Sequence, residues 1–199
     1  MAYKEILNTV NNIDGILLDI GFGKGISLSS IISDMNEGNV KTRDICLFDS
    51  FKGQPEPSDL DEGSFSKGDY NRPIQPAYDI SNSIKANVCI CEGWVEDTLL
   101  SCIKEEDVAV VHIDVIGYES TLFSLNTSYK SLVQGGVLII KDYTNYIGVK
   151  KAVDKFAFDQ GLSVNKTAIS DSTAFIYRPK INESVTNKKV NRTWSSTLT

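Results

Sequence analysis

The sequence predicts an α/β fold: a Rossmann-like, doubly wound, mostly parallel sheet of seven strands with helices on both faces and an antiparallel terminal hairpin. Three observations predict it. Short apolar runs alternate five times with segments whose apolar residues recur at helical spacing. A glycine-rich stretch follows the first apolar run, at the turn that contacts nucleotides in such folds. The last two apolar runs have no helix between them, which indicates a hairpin.

The strands are predicted from apolar runs, and the helices from apolar residues at helical spacing. Runs such as GILLDI (15–20) and VAVVHI (108–113) are typical of strands buried on both faces. In chain order, strands are predicted at residues 15–20, 45–48, 88–91, 108–113, 137–140, 162–168 and 173–177. Helices are predicted at residues 3–11, 27–35, 77–86, 94–103, 118–132 and 149–160. Residues 50–75, with three prolines and a cluster of acids, predict a long loop that is functional or partly mobile.

Length and charge restrict the class of protein. The 199 residues suit one domain, which we expect over residues 1–180, followed by a polar tail over 181–199. The net charge of −6 argues against a nucleic-acid or anionic-membrane surface, and no apolar run is long enough to span a bilayer. We therefore expect a soluble, cytoplasmic protein that binds a small molecule. Its four cysteines lack zinc-type spacing, and the three that lie in apolar strand-like runs are expected to be buried, reduced thiols.

The first strand–helix turn carries the residues Asp19-Ile20-Gly21-Phe22-Gly23-Lys24-Gly25. Glycines at this turn let the backbone approach a ligand closely, and the next helix offers free N–H groups. A dinucleotide fingerprint would need glycine at position 26, which is isoleucine, so an NAD-type oxidoreductase is disfavoured. The spacing suits a sulfonium nucleoside whose amino-acid end lies over the glycines, with Asp19 facing its ammonium group.

The ends of the second and third strands supply further candidate binding residues. Asp49 has the position from which an acid binds both ribose hydroxyls, although it would also suit a turn that opens the loop. Ser50 follows it at the same strand end. Gly93 allows close approach of a ligand, and Trp94 either lies near the adenine ring or covers the core.

The ends of the fourth and fifth strands carry the candidate catalytic residues. His112 and Asp114 share one side of a strand, since residues i and i+2 point the same way. Asp114 is expected at the crevice, where a carboxylate binds a metal or takes a proton. His112 is either catalytic or a hydrogen-bonded core residue. Lys141 and Asp142 close the adjacent strand.

Taken together, these residues resemble the macrocin O-methyltransferase family, whose members use S-adenosylmethionine and have the class I methyltransferase fold. The resemblance covers residues 15–178 and is most specific in LFDSFKGQPEP and in the GW-x-x-DTL run. The matching stretches are LLDIGFGKGIS (17–27), LFDSFKGQPEP (47–57), EGWVEDTL (92–99), HIDVIGYEST (112–121), GGVLIIKDY (135–143) and GVKKAVDKF (148–156).

The resemblance implies that a methyl group passes to a hydroxyl, often on a sugar. It implies a cofactor site in which Asp49 binds the ribose and Gly93 and Trp94 lie beside the adenine. The cofactor's remaining contacts would come from the first turn, at Asp19, Gly21, Phe22, Gly23 and Gly25.

The family's divalent metal, usually magnesium, is held by an aspartate after the fourth strand and an acidic pair after the fifth. Here the pair is Lys141-Asp142, which leaves Asp114 and Asp142 as the ligands of any metal and makes magnesium doubtful. Three interpretations of Lys141 stay open. It neutralises the vacated acidic site, it replaces the metal while Asp114 or His112 accepts the proton, or catalysis has been lost.

The leading hypothesis is therefore an S-adenosylmethionine-dependent O-methyltransferase acting on a sugar or another small hydroxyl-bearing metabolite. The alternative is a catalytically silent S-adenosylmethionine-binding module or complex subunit. Relatives carry a longer helical segment before the first strand, whereas 14 residues precede Gly15 here, which favours a homo-oligomer whose neighbour covers the site.

Overall fold

The computed structural model describes residues 2–103, 106–166 and 172–180, and its seven strands form one sheet in the order β3-β2-β1-β4-β5-β7-β6. Strands β1 to β5 are parallel, while β7 is antiparallel to β5 and β6 is antiparallel to β7. This confirms the predicted sheet and its terminal hairpin. The strands are β1 (Ile16–Ile20), β2 (Ile45–Asp49), β3 (Val88–Glu92), β4 (Val108–Ile113), β5 (Leu132–Ile140), β6 (Asn165–Lys166) and β7 (Ala174–Tyr177).

Helices cover both faces of the sheet because successive residues of each buried strand point to opposite sides. On β1, Leu17 packs into one apolar cluster and Leu18 into the other. The first three helices share the cluster of Leu17, and the last three share that of Leu18. The helices are α1 (Ala2–Asn8), α2 (Ile26–Asn36), α3 (Gln75–Ser81), α4 (Val95–Cys102), α5 (Tyr118–Ser131) and α6 (Ile147–Gln160).

The largest errors in the predicted element boundaries are those of the third helix and the fifth strand. The third helix ends at Ser81 rather than continuing to residue 86. The fifth strand begins at Leu132 rather than 137, because the glycines expected to form a turn lie inside it. Gly135 has a φ of 81°, and both it and Gly136 exchange backbone hydrogen bonds with Arg178. The pair is therefore a distortion within the strand and not the turn that precedes it.

The long loop after β2 is anchored at its middle, where Asp59–Asp61 form a 3-10 helix. The Asp61 side chain is 2% exposed and accepts hydrogen bonds from the Ser58 backbone N–H and from the Tyr118 N–H at the start of α5. Phe65 is buried in the core. The expectation of a partly mobile loop therefore does not describe its central part, which is packed against α5.

The cysteine prediction also needs correction. Cys91 at the end of β3 and Cys102 at the end of α4 are paired as a disulfide, and Cys89 is exposed. Helix α4 folds back along the strand that precedes it, which brings two cysteines together that the sequence separates by 11 positions. Cys46 stays a free thiol, and burial raises its pKa to about 11.

Two further expectations concern the ends of the chain and its environment. The predicted tail, residues 181–199, and part of the predicted hairpin, residues 167–171, lie outside the described residues. None of the helices in the described part of the chain has the length and apolar character needed to cross a membrane.

Candidate active site

A cavity of about 290 Å³ lies at the carboxyl ends of the parallel strands, where ligands bind in open α/β sheets. Every one of the strands β1 to β5 contributes to its lining through the turn that follows it. Two tyrosines, from the long loop and from the segment before α6, close one side. Lining residues include Gly21, Phe22, Gly23, Ser27, Asp49, Ser50, Tyr70, Gly93, Trp94, Asp114, Lys141, Asp142 and Tyr146.

Ten of the predicted site residues therefore meet in one cavity, and three do not. Asp19, Gly25 and His112 are buried and lie outside the lining. Gly25 instead allows a close approach within the turn, since a Cβ atom there would lie 2.5 Å from the Phe22 ring. Its role is to let the first turn fold over Phe22, and the cavity is lined by the glycines before it.

The first glycine turn is built for close approach on two sides. At Gly21 (φ 87°) a Cβ atom would lie 2.6 Å from the Asp114 carbonyl oxygen, so a side chain would separate β1 from the end of β4. At Gly23 a Cβ atom would meet nothing within 4 Å. The Gly23 backbone faces open space, and its N–H donates to Asp49 Oδ2 at 3.0 Å.

Asp49 forms the turn that opens the long loop and also lines the cavity, while its contact with a ribose stays a prediction. Its Oδ1 accepts a hydrogen bond from the Phe51 N–H at 2.8 Å, which is the turn that opens the long loop. Its Oδ2 accepts from Gly23, and the side chain lines the cavity. Each carboxylate oxygen has two acceptor sites, so Asp49 retains one on each for a further donor.

Trp94 lines the cavity and is half-buried, immediately before α4. The adjacent Gly93 has a φ of 143° and donates its N–H to the Asp49 carbonyl at 3.0 Å. This hydrogen bond joins the ends of β2 and β3, so that the Trp94 side chain lies in the same wall as Asp49. Trp94 therefore borders the cavity, and its position beside a bound ligand stays a prediction.

Asp19 and His112 form a buried pair behind the cavity. The two are register partners on β1 and β4, and Asp19 Oδ1 lies 2.7 Å from His112 Nδ1. Their side chains are each 1% exposed. Burial raises the pKa of Asp19, and the interaction with His112 opposes that rise. His112 is thus a buried, hydrogen-bonded residue, as one of the two interpretations holds, and neither its side chain nor that of Asp19 lines the cavity.

A chain of polar contacts connects this pair to the cavity through two residues that the sequence did not single out. Tyr3 on α1 has its hydroxyl 3.4 Å from His112 Nε2 and donates to Ser27 Oγ at 3.2 Å. Ser27 donates to Asp114 Oδ2 at 3.4 Å. Ser27 lies two positions after the last glycine of the turn, so its spacing could have indicated a site residue. Tyr3 is distant in sequence, and no pattern around it indicates a link to the cavity.

Asp114 and Lys141 meet at the ends of β4 and β5, with Lys141 Nζ 3.7 Å from Asp114 Oδ2. Both side chains are about one quarter exposed. Asp142 adopts a left-handed backbone conformation (φ 57°), and its Oδ1 accepts a hydrogen bond from Asn145 Nδ2 at 2.7 Å. Within the described residues, no three His, Cys, Asp or Glu side chains are grouped as metal ligands.

A pair of tyrosines forms the outer wall beside Asp142. The hydroxyls of Tyr70 and Tyr146 are 2.9 Å apart, and this hydrogen bond is the main reason that the pKa of Tyr146 rises to about 12. Tyr70 is half-exposed and has a φ of 62°, so the long loop presents it in a conformation that non-glycine residues seldom adopt. No sequence signal indicated this pair, because its members are 76 positions apart.

Comparison with known proteins identifies the family. The family model described as macrocin-O-methyltransferase (TylF) matches residues 2–179. The chain belongs to this family. The match includes every strand and helix of the structure and all of the cavity residues described above, and the resemblance noted in the sequence is thereby confirmed.

Two characterised relatives of this family member are antibiotic methyltransferases by name. Demethyldecarbamoylnovobiocin O-methyltransferase of Streptomyces niveus is 26% identical over 160 residues, which are 73% of this chain and 59% of the relative. Mycinamicin III 3''-O-methyltransferase of Micromonospora griseorubida is 24% identical over 165 residues, 77% of this chain and 64% of the relative. The chain therefore spans about three fifths of the length of these relatives.

Two solved methyltransferase structures superpose on this chain. The O-methyltransferase NovP superposes with a TM-score of 0.72 at 24% identity, covering 89% of this chain and 78% of NovP. CalS11, a calicheamicin methyltransferase, superposes with a TM-score of 0.76 at 18% identity, covering 88% of this chain and 77% of CalS11. At these identities the likeness establishes the methyltransferase fold.

Proposed function

We propose that this chain is an S-adenosylmethionine-dependent O-methyltransferase whose acceptor is a hydroxyl of a sugar or another small metabolite. The observation that carries the proposal is one cavity that brings the Asp49–Gly23 turn and the Lys141–Asp114 pair together at the ends of adjacent strands. Membership in the macrocin O-methyltransferase family supports the same activity.

The order of the strands gives the cofactor a direction in this proposal. Trp94 follows β3, Asp49 follows β2, and the glycine turn follows β1, which are three neighbours in the sheet. The adenine would lie beside Trp94, the ribose hydroxyls at Asp49, and the amino-acid end over Gly21 and Gly23. The sulfonium then points toward β4 and β5, where Asp114 and Lys141 stand.

The reacting centre is assigned to these last two residues. S-adenosylmethionine supplies an electrophilic methyl group attached to positively charged sulfur. An acceptor hydroxyl beside Asp114 has a carboxylate within reach for its proton, and the Lys141 ammonium stabilises negative charge that develops on the oxygen. The cavity would hold the acceptor hydroxyl next to the methyl group, which would remove much of the entropic cost of the encounter. His112 is assigned no direct proton transfer, because it lies behind the cavity.

The residues present do not fit a resident magnesium ion. Magnesium prefers near-octahedral oxygen ligands, whereas the described residues at the ends of β4 and β5 offer two carboxylates, Asp114 and Asp142, and Asp114 has an ammonium 3.7 Å away. A cation placed between these groups would meet the positive charge of Lys141. We therefore propose that Lys141 provides the positive charge that a metal provides in relatives, and no step of the reaction is assigned to a metal.

The acceptor class is proposed from the relatives and from the outer wall. The names of the relatives specify novobiocin and mycinamicin precursors, and one neighbouring structure is named a TDP-rhamnose 3'-O-methyltransferase. Tyr70 and Tyr146 both line the cavity, where an acceptor ring would contact them. A cytoplasmic location and a homo-oligomer that helps to cover this wall belong to the same proposal.

Calorimetric titration with S-adenosylhomocysteine, in chelator and then in magnesium, tests the cofactor half of the proposal. Binding in chelator is the expected result, and its absence in both conditions would contradict the assignment. Transfer of a tritiated methyl group to TDP-rhamnose, demethyldecarbamoylnovobiocin and mycinamicin III tests the acceptor half. Binding without transfer to any hydroxylated acceptor of a wider panel would favour the catalytically silent module instead.

A further inference from the structure

Tyr3 connects the first helix to the cavity. Helix α1 packs through Ile6 and Leu7 into the same apolar cluster as α2. The Tyr3 ring meets His112 edge-on at a centroid distance of 5.4 Å, and its hydroxyl lies between His112 Nε2 and Ser27 Oγ. One hydroxyl group thus joins a buried pair within the sheet to the first turn of α2.

We propose that Tyr3 is a positioning residue of the cofactor site, which holds Ser27 in place against the amino-acid end of S-adenosylmethionine. The proposal rests on the proposed function and adds a residue to it. Tyr3 itself does not line the cavity and acts through Ser27, its hydrogen-bond acceptor.

The rigidity of the support comes from the sheet. Asp19 and His112 are register partners on adjacent central strands, and both are buried, so neither side chain has room to move. Tyr3 fixes Ser27 relative to this pair, and Ser27 in turn donates to Asp114 Oδ2. Burial raises the pKa of Tyr3, which keeps its hydroxyl a neutral donor.

The position of Ser27 determines the part of the ligand that it contacts. It lines the cavity beside the glycine turn that follows β1, whereas Asp49 and Trp94 lie at the ends of β2 and β3. The amino-acid end of the cofactor carries an ammonium and a carboxylate, and a serine hydroxyl can bind either group. Loss of the Tyr3 hydroxyl should therefore weaken the binding of ligands that contain the amino-acid end and leave unchanged the binding of ligands that lack it.

The test compares S-adenosylhomocysteine with 5'-methylthioadenosine, which keeps the adenosine and sulfur but lacks the amino-acid end. In Tyr3→Phe the dissociation constant for S-adenosylhomocysteine should rise about three- to tenfold, the effect of one hydrogen bond. The dissociation constant for methylthioadenosine should stay within about twofold of the wild-type value, which is less than the effect of losing one hydrogen bond. Ser27→Ala should show the same selectivity, and the double variant should lose less than the sum of the two.

Tyr177→Phe is the matched control, because it removes a tyrosine hydroxyl that contacts the same amino-terminal segment through Thr9 Oγ1 at 2.9 Å. It should change neither dissociation constant. Equal weakening of both ligands in Tyr3→Phe, or additive losses in the double variant, would overturn the positioning role. If wild-type protein binds neither ligand, the proposed function itself fails, and the two outcomes are thus distinguished.

Discussion

The Lys141 ammonium lies 3.7 Å from the Asp114 carboxylate, at the ends of two neighbouring parallel strands. A lysine at this point introduces a positive charge where the resemblance to the family implies an acid. The two side chains are about one quarter exposed, so each charge is partly removed from solvent. The chemistry of this pair can be tested by reversing one charge.

Lys141→Asp should create a magnesium site. The variant places three carboxylates, at positions 114, 141 and 142, around one point, which provides the oxygen donors that magnesium prefers. Calorimetry should detect magnesium binding in the variant and none in the wild type. Lys85→Asp makes the same charge change at an exposed position between α3 and β3 and should bind no magnesium. Magnesium binding by the wild type would contradict the role given to Lys141.

Asp49→Ala should weaken the binding of S-adenosylhomocysteine and of methylthioadenosine to a similar extent. The variant removes the carboxylate assigned to the ribose, which both ligands contain, and hydrogen bonds to a charged group contribute about 1.5–3 kcal/mol. Both dissociation constants should therefore rise by at least about tenfold. Asp44→Ala, which removes a carboxylate that accepts from the Asn87 N–H at the other end of β2, is the control. Weakening of only one ligand would mean that Asp49 does not bind the ribose.

Gly148→Ala should destabilise the protein, although alanine is favoured over glycine in a helix by up to about 1 kcal/mol. The added Cβ atom would overlap Asp61 Oδ1, the group that anchors the long loop to α5. Overpacking of this kind costs about 1–3 kcal/mol in the free energy of unfolding, measured by urea denaturation. In an Asp61→Ala background the same substitution should become neutral or stabilising. A similar loss in both backgrounds would show that Asp61 is not the obstacle.

The free energy of unfolding should fall as pH rises from about 10 to about 12. The pKa of Tyr146 is raised to about 12 in the folded protein, chiefly by the hydrogen bond with Tyr70, while the unfolded chain has the ordinary value near 10. Between these values the unfolded chain loses a proton that the folded chain retains, so unfolding becomes more favourable. Burial raises the pKa of Tyr3 and acts in the same direction.

Urea denaturation at several pH values checks this dependence in the wild type and in two variants. Tyr146→Phe should reduce the loss of stability above pH 10, since the group that titrates is gone. Tyr70→Phe should reduce it as well, because it removes the main cause of the Tyr146 shift. An unchanged pH profile in both variants would show that the tyrosine pair does not form in solution.

Much of this molecule was predictable from local sequence. Uninterrupted apolar runs predicted the central strands, and the rule that parallel strands end at one edge correctly predicted that Gly21, Asp49 and Asp114 lie together. The family stretches lie at those same strand ends, so the resemblance and the topology indicated the same residues. Boundaries failed where tertiary contacts overrode local preference, as at Gly135 inside β5.

Residue patterns alone were enough to predict the fold class, the family and ten of the residues that line the cavity, because these depend on features that lie within one strand and its following turn. The burial of Asp19 and His112 behind the cavity, the contact of Tyr3 with Ser27 and that of Tyr70 with Tyr146 became evident from the folded chain. Each of these contacts joins residues at least 24 positions apart. Such pairs are set by how helices and loops pack onto the sheet, and this packing leaves no periodic signal in the chain.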